Sequence, residues 1–231
     1  MPQAIQRDIE SSSVPDISMA FMLGIELKNP LIALKLAAEQ AGDDMSVRQA
    51  EQALRTIDSV MLYQRIQANQ QQLALEPVHI GSIMTDVIET MQAHLDSLGY
   101  ESEIYMQHGI TTVDADKNAL RAGLECMLEA MLSAAHRPSP ITWHIFKAKD
   151  GIRVSMTNNS VDVAGLTMPS VDQLHGSTQP VQGLAVAATH LVTAQGIFDA
   201  LGGTMRKVRR QGGKMQGFGV TLRASQQMTL V

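Results

Sequence analysis

Residues Phe21 to Lys35 read FMLGIELKNPLIALK, and the spacing of their apolar positions decides how the first quarter of the chain folds. Ile17, Phe21, Gly24, Leu27, Leu31, Leu34 and Ala38 recur at intervals of three and four, one stripe of a long helix. Asp16, just before the pattern, supplies an N-cap. Met22, Ile25, Asn29, Ile32 and Leu36 form a second stripe, accessible to a partner. Pro30 removes one backbone donor inside the helix and should kink it, at a cost of ~3 kcal/mol.

Working outward, Gly42 offers a C-cap, and Ser46 with Gln49 has the spacing of a capping box opening a second helix. Val47, Ala50, Leu54, Ile57 and Met61 repeat at three, four, three and four, the seam of a coiled-coil-like bundle. Two helices with a short connection make an antiparallel hairpin that cannot bury both stripes alone. Pairing two hairpins into a four-helix bundle buries them, so the expected state is a homodimer. The organisation this predicts is a flexible tail over 1–15, a hairpin over 16–73, and a second domain over 74–231, after the polar run Gln67 to Gln72.

Beyond that boundary helices and strands alternate. Ile80 to Ser97 reads as an amphipathic helix ending at Gly99, Tyr100 to Met106 as a strand, and Asp116 to Ala135 as a helix. Ile141 to Lys147 and Ile152 to Thr157 form a hairpin around Lys149-Asp150-Gly151, and Asn158 to Gly183 is irregular. Ala185 to Leu201 is a helix closed by Gly202-Gly203, and Thr204 to Arg210 pairs with Gly217 to Ala224. The class is α+β: a helical hairpin, then a two-layer sandwich with helices on one face of a mixed, mostly antiparallel sheet.

Composition narrows the functional classes. The chain has 231 residues, 45% of them hydrophobic, enough for a sizeable core, and a formal charge of -5. That charge argues against nucleic acid or an anionic membrane as a partner. Cys126 is the single cysteine, which precludes an internal disulfide and suits a reducing, cytoplasmic setting. No segment is apolar enough to span a bilayer, since Glu26, Lys28 and Pro30 interrupt the best candidate. The seven histidines lack metal-ligand spacing, so no metal is expected.

Several phrases, in order, resemble the catalytic core of bacterial sensor histidine kinases: a dimerisation hairpin followed by a GHKL-type ATPase domain. Ile25-Glu26-Leu27-Lys28-Asn29-Pro30 is similar to that family's His-Glu-x-x-x-Pro phosphoacceptor run. Leu75-Glu76-Pro77-Val78 is similar to the entry into its ATPase domain, and Asp116 to Arg121 to the run before its Asn-rich helix. Gln195 to Thr204 and Gly217 to Leu222 look like the closing helix and strands. The chain is also similar to histidine phosphotransferases that pair such a hairpin with a degenerate ATPase domain.

The departures are chemical. Position 25, where the family has its phosphoryl-carrying histidine, is isoleucine, and an alkyl group has no lone pair with which to attack phosphorus. The two polar residues of the Asn-rich motif that hold Mg²⁺ fall on Cys126 and Ala130, neither an oxygen ligand. The first glycine box becomes Asn158-Asn159-Ser160-Val161-Asp162, an amide in place of the adenine-reading carboxylate. The second falls on Ala188-Thr189-His190-Leu191, without a glycine to let backbone amides approach phosphate; Gly183 to Val186 is a possible shifted copy.

The resemblance therefore implies a kinase-like protein of two-component signalling that uses neither ATP nor metal and binds response-regulator receiver domains, or a cognate histidine kinase. Input would then arrive through partners. Met22, Ile25, Asn29 and Ile32 are the expected docking residues, with Ile32 alternatively extra dimer core. Glu26 and Asn29 match family positions that help hydrolyse a receiver's aspartyl phosphate; they either hold a water there, as a phosphatase pair, or are simply solvated. An ATP-binding kinase or phosphotransferase with an atypical site is the remaining alternative. Cys126 reads as inert core and His190 as a loop residue, while the basic run Arg206 to Lys214 is either a solvated hairpin or a contact for an acidic receiver.

Overall fold

A computed structural model of the chain describes residues 19–110, 112–161, 163, 184–209 and 215–225. Helix α1 (Met19–Ala41) and helix α2 (Asp44–Gln67) form the hairpin. Gly42, at φ +69°, turns the chain in the left-handed conformation that costs glycine least. The expected cap at Asp16 lies outside the described residues. The expected capping box at Ser46 and Gln49 is displaced: Asp43 is the N-cap of α2, accepting from the Ser46 amide at 3.1 Å and from its hydroxyl at 2.6 Å. A carboxylate there also meets the positive end of the helix, so it out-competes the serine three residues on.

Only part of the first stripe of α1 meets α2. Gly24 is buried beneath Ile57 and Met61, and Ala38 is buried, but Leu27 and Leu34 are exposed. Lysines fill the gaps in the seam: Lys28 pairs with Asp58 at 2.5 Å and Lys35 with Glu51 at 2.8 Å. Pro30 sits on the exposed side, and the helix runs through it unbroken.

The remainder is a two-layer sandwich. In chain order it contains β1 (Glu76–His79), α3 (Ile80–Leu98), β2 (Ser102–Met106), β3 (Thr112–Ala115), α4 (Lys117–Ala134), β4 (Ile141–Ala148), β5 (Gly151–Asn158), α5 (Leu184–Ala200), β6 (Thr204–Arg209) and β7 (Met215–Leu222). Five strands lie in the order β2-β4-β5-β7-β6, β2 parallel to β4 and the rest antiparallel. A β1–β3 ribbon, absent from the sequence reading, adds an antiparallel pair. Its strands have four residues each, and Pro77 in β1 weakened the strand signal.

Alternation builds the core. Ile141, Trp143 and Ile145 of β4, Val154 and Met156 of β5, and Phe218 and Val220 of β7 point to the helical side and are buried. Phe198 of α5 lies so close to Gly123 of α4 that a Cβ there would sit 2.8 Å from its ring, so the two helices pack directly against each other. Asp116 caps α4 through the amides of Asn118 and Ala119, both at 3.0 Å, and also accepts from Ala74 at 3.1 Å, tying the end of the linker to the sandwich.

Candidate functional site

The candidate residues fall in three places. The first is the outer surface of α1. Met22, Ile25 and Ile32 are exposed together with Leu23, Leu27, Leu34 and Leu36, so apolar side chains cover both flanks of the helix. Contiguous exposed apolar side chains on a folded chain mark interaction sites. Glu26 and Asn29 lie beside them, exposed and one turn apart, with no hydrogen-bond partner among the described residues. Leu27, Leu31 and Leu34 continue across Ala53 and Ile57 of α2 and Val186 of α5, forming an apolar trough of about 640 Å³.

The second place is the seam where α2 lies on α4 and α5. The sequence reading assigned α2 one apolar face; it has two. Ser59, Leu62, Tyr63 and Ile66, at i, i+3, i+4 and i+7, are buried against the sandwich. That spacing was present in the sequence, masked by the serine and the tyrosine hydroxyl. Gly196 of α5 receives the Tyr63 ring, which a Cβ would overlap.

Cys126 and His190 come together in this seam. With Arg55, Thr56, Ser59, Met91, Glu125 and Glu129 they line a void of about 10 Å³. Cys126 is 3% exposed, Ala130 0% and His190 4%. Burial pushes the Cys126 thiol up to about 12, against a hydrogen bond with Ser59 that pulls it down. Burial also pushes His190 down to about 4, so its imidazole is neutral at physiological pH. His190 is thus a core residue of a helix, not the loop residue expected.

Glu129 is the buried acid of the seam. Gln52 donates to its Oε2 at 2.8 Å, and burial raises its pKa. His94 Nε2 lies 3.7 Å from the same oxygen, but burial and the nearby Arg55 and Arg48 push the imidazole down, so the two are not an ion pair at neutral pH. Nothing in the spacing of His94, Glu129 and Arg55 along the sequence signals their convergence.

Asn158 and Asn159 occupy the third place, the end of β5. Asn158 is 1% exposed and its amide is consumed by its own turn and by Ser139, ahead of β4. Its Oδ1 accepts from Ser139 Oγ at 2.7 Å, Ser160 N at 2.8 Å and Ser160 Oγ at 2.6 Å, and its Nδ2 donates to the Ser139 carbonyl at 2.9 Å. Asn159 instead lines a groove of about 630 Å³ on the open face of the sheet, with the stacked pair Tyr105 and His144, away from the helices that carry Cys126 and His190. His79 caps α3, its Nδ1 accepting from Ser82 N at 3.3 Å. The described residues contain no cluster of three metal-ligating side chains and no helix long and apolar enough to cross a membrane.

A hairpin leading into this sandwich is the architecture of a histidine-kinase core. Solved structures bear this out as a likeness of fold. The histidine kinase AdeS of Acinetobacter baumannii superposes with a TM-score of 0.56 at 13% identity, over 86% of this chain and 97% of that one. Full-length ShkA in complex with AMPPNP superposes with a TM-score of 0.60 at 18% identity, over 89% of this chain and 46% of ShkA. A nucleotide-free catalytic domain of the histidine kinase ThkA gives 0.52 at 12% identity, over 65% of this chain and 96% of that domain. No family model and no curated protein matches the sequence. The chain therefore has the histidine-kinase fold, a helical hairpin joined to a GHKL-type sandwich.

Proposed function

We propose that this chain is a catalytically degenerate, histidine-kinase-like protein of two-component signalling, which binds response-regulator receiver domains through α1 and works without ATP. The observation that carries the reading is the closed seam. Small-molecule sites occupy about 300–1,000 Å³. The void beside Cys126 and His190, two of the positions aligned with Mg²⁺ and phosphate binding, is about 10 Å³, and the larger trough that His190 also borders is lined, among the described residues, by no Lys, Arg, Asp or Glu. Asn158, aligned with the adenine reader, has its donor engaged by the Ser139 carbonyl and its acceptor by Ser139 and Ser160. Ile25 adds the chemical argument, since it cannot accept a phosphoryl group.

Homodimerisation belongs to the same proposal. A single hairpin leaves Leu27 and Leu34 on one flank of α1 and Met22, Ile25 and Ile32 on another. A second hairpin buries the first flank, with Ala53 and Ile57 of α2, in a four-helix bundle. The second flank remains for the receiver, with Asn29 beside it.

The test has two arms. Titration calorimetry with Mg-ATP is expected to be silent up to millimolar concentration, and purified receiver domains from the same cell are expected to bind the wild type and lose that binding with Ile25→Asp. A clear nucleotide isotherm, or failure of every receiver to bind, sinks the reading. Glu26 and Asn29, exposed at i and i+3, favour a second reading as an aspartyl-phosphate phosphatase. Under it a labelled phospho-receiver decays faster with the wild type than with Glu26→Ala; equal decay leaves only binding.

A further inference from the structure

The five-stranded sheet ends on two edges that differ in how they are protected. At one end β6 carries Arg206, Lys207 and Arg209, and its register with β7 shifts between Val208 and Arg209. Charges and a bulge are ordinary means of keeping a strand edge from pairing with another chain. At the other end β2, SEIYM over Ser102–Met106, has no lysine, arginine or proline, and its register is unbroken. Among the described residues it pairs only with β4.

The helical layer does not close this edge. Ser102 accepts from Trp143 Nε1 at 3.1 Å, so Ser102, Ile104 and Met106 share the face on which Trp143 is buried. Ile104 and Met106 are nevertheless 38% and 46% exposed, and Tyr105, on the opposite face, is 55% exposed. The ladder with β4 determines which backbone groups are free. The Glu101 carbonyl accepts from the Ile141 amide and the Gln107 amide donates to the Ile145 carbonyl, so the odd-numbered residues face β4. The amides and carbonyls of Ser102, Ile104 and Met106 point outward.

Charge selects the strand that fits them. Both acids of the edge, Glu101 and Glu103, precede Ile104, whereas Tyr105, Met106 and Gln107 after it are neutral. A second β2, antiparallel about a two-fold axis at Ile104, sets Glu101 against Gln107, Ser102 against Met106 and Glu103 against Tyr105. Ile104 meets its own copy, and no two acids face each other. A parallel copy would oppose each acid with its like, which destabilises a strand pair.

We propose that β2 is a self-pairing edge: two copies of the sandwich join through antiparallel β2 strands centred on Ile104, making one continuous sheet. The pairing takes up the outward amides and carbonyls and covers Ile104 and Met106. A contact of one short strand from each copy is small beside the ~1,000 Å² of a standing complex, so it is the weaker of the two self-contacts. It uses no residue of α1 and is independent of what α1 binds.

Ile104→Cys tests the register. Facing Cα atoms of a hydrogen-bonded antiparallel pair lie about 5.5 Å apart, within disulfide reach. Glu103→Cys is the collision control, because two residues at that position lie on a diagonal of about 7–8 Å. Under mild oxidation of the full chain, Ile104→Cys is expected to form a disulfide dimer at least about 10-fold faster than Glu103→Cys. The wild type, whose one thiol at Cys126 is buried, is the blank. Leu34→Glu, which opens the hairpin contact, should leave this cross-link in place, so the two contacts fail separately. In that background, sedimentation at rising concentration should show a monomer–dimer step that Ile104→Lys removes while Trp143 emission is unchanged. Equal cross-linking at 103 and 104, a dimer step that survives Ile104→Lys, or growth past the dimer, as β2 on β6 of the next copy would give, overturns the self-paired edge.

Discussion

Asn158, which the proposed reading aligns with the adenine-reading position, has its side chain committed to the fold. Its amide bonds Ser139 and Ser160 with both ends, whereas a carboxylate there could keep the three donors but would face the Ser139 carbonyl with a second oxygen. Asn158→Asp, the change that restores the kinase-like residue, is therefore expected to cost about 1–3 kcal/mol at neutral pH and to gain no nucleotide affinity. Urea unfolding at neutral pH measures the loss, and a variant that binds Mg-ATP or is fully stable contradicts this role for the amide.

At the scale of elements, what could be read from the sequence depended on whether the signal was local. Strict alternation in Ile141 to Lys147 and the glycine after α3 located their elements to within a residue or two, because backbone geometry alone dictates those patterns. The β1–β3 ribbon and the sandwich-facing side of α2 escaped, since each is fixed by a partner far along the chain. Of the candidate site, the exposed stripe of α1 was legible and the seam was not: Glu129 meets Gln52 across 77 positions of sequence. The seam nevertheless has a testable keystone in the contact of Tyr63 with Gly196. Gly196→Ala forces the ring aside and is expected to cost about 1–3 kcal/mol, an overpacking penalty. In a Tyr63→Ala background the same change should cost much less, because the obstacle is gone. Additive losses in that double-mutant cycle, measured by denaturant unfolding, would mean that the ring and the glycine do not support each other.

For the whole molecule, the decisive asymmetry is between two flanks of one helix that are equally apolar but differently placed. Leu27 and Leu34 adjoin Ala53 and Ile57 of α2, so a second copy covering them gains both helices of the hairpin at once. Met22, Ile25 and Ile32 are exposed on the other flank of α1, a strip at helical spacing suited to one partner helix. Burying a leucine contributes about 1.5–3 kcal/mol, and two-fold symmetry counts every substitution twice, so Leu34→Glu should weaken self-association by about 100-fold or more. Ile25→Asp should leave self-association intact while removing receiver binding. Sedimentation equilibrium across a concentration series, paired with receiver titration of the same samples, separates the two surfaces. If Ile25→Asp dissociates the dimer, or Leu34→Glu leaves it unchanged, the flanks are assigned the wrong way round and the receiver must dock on the leucine side.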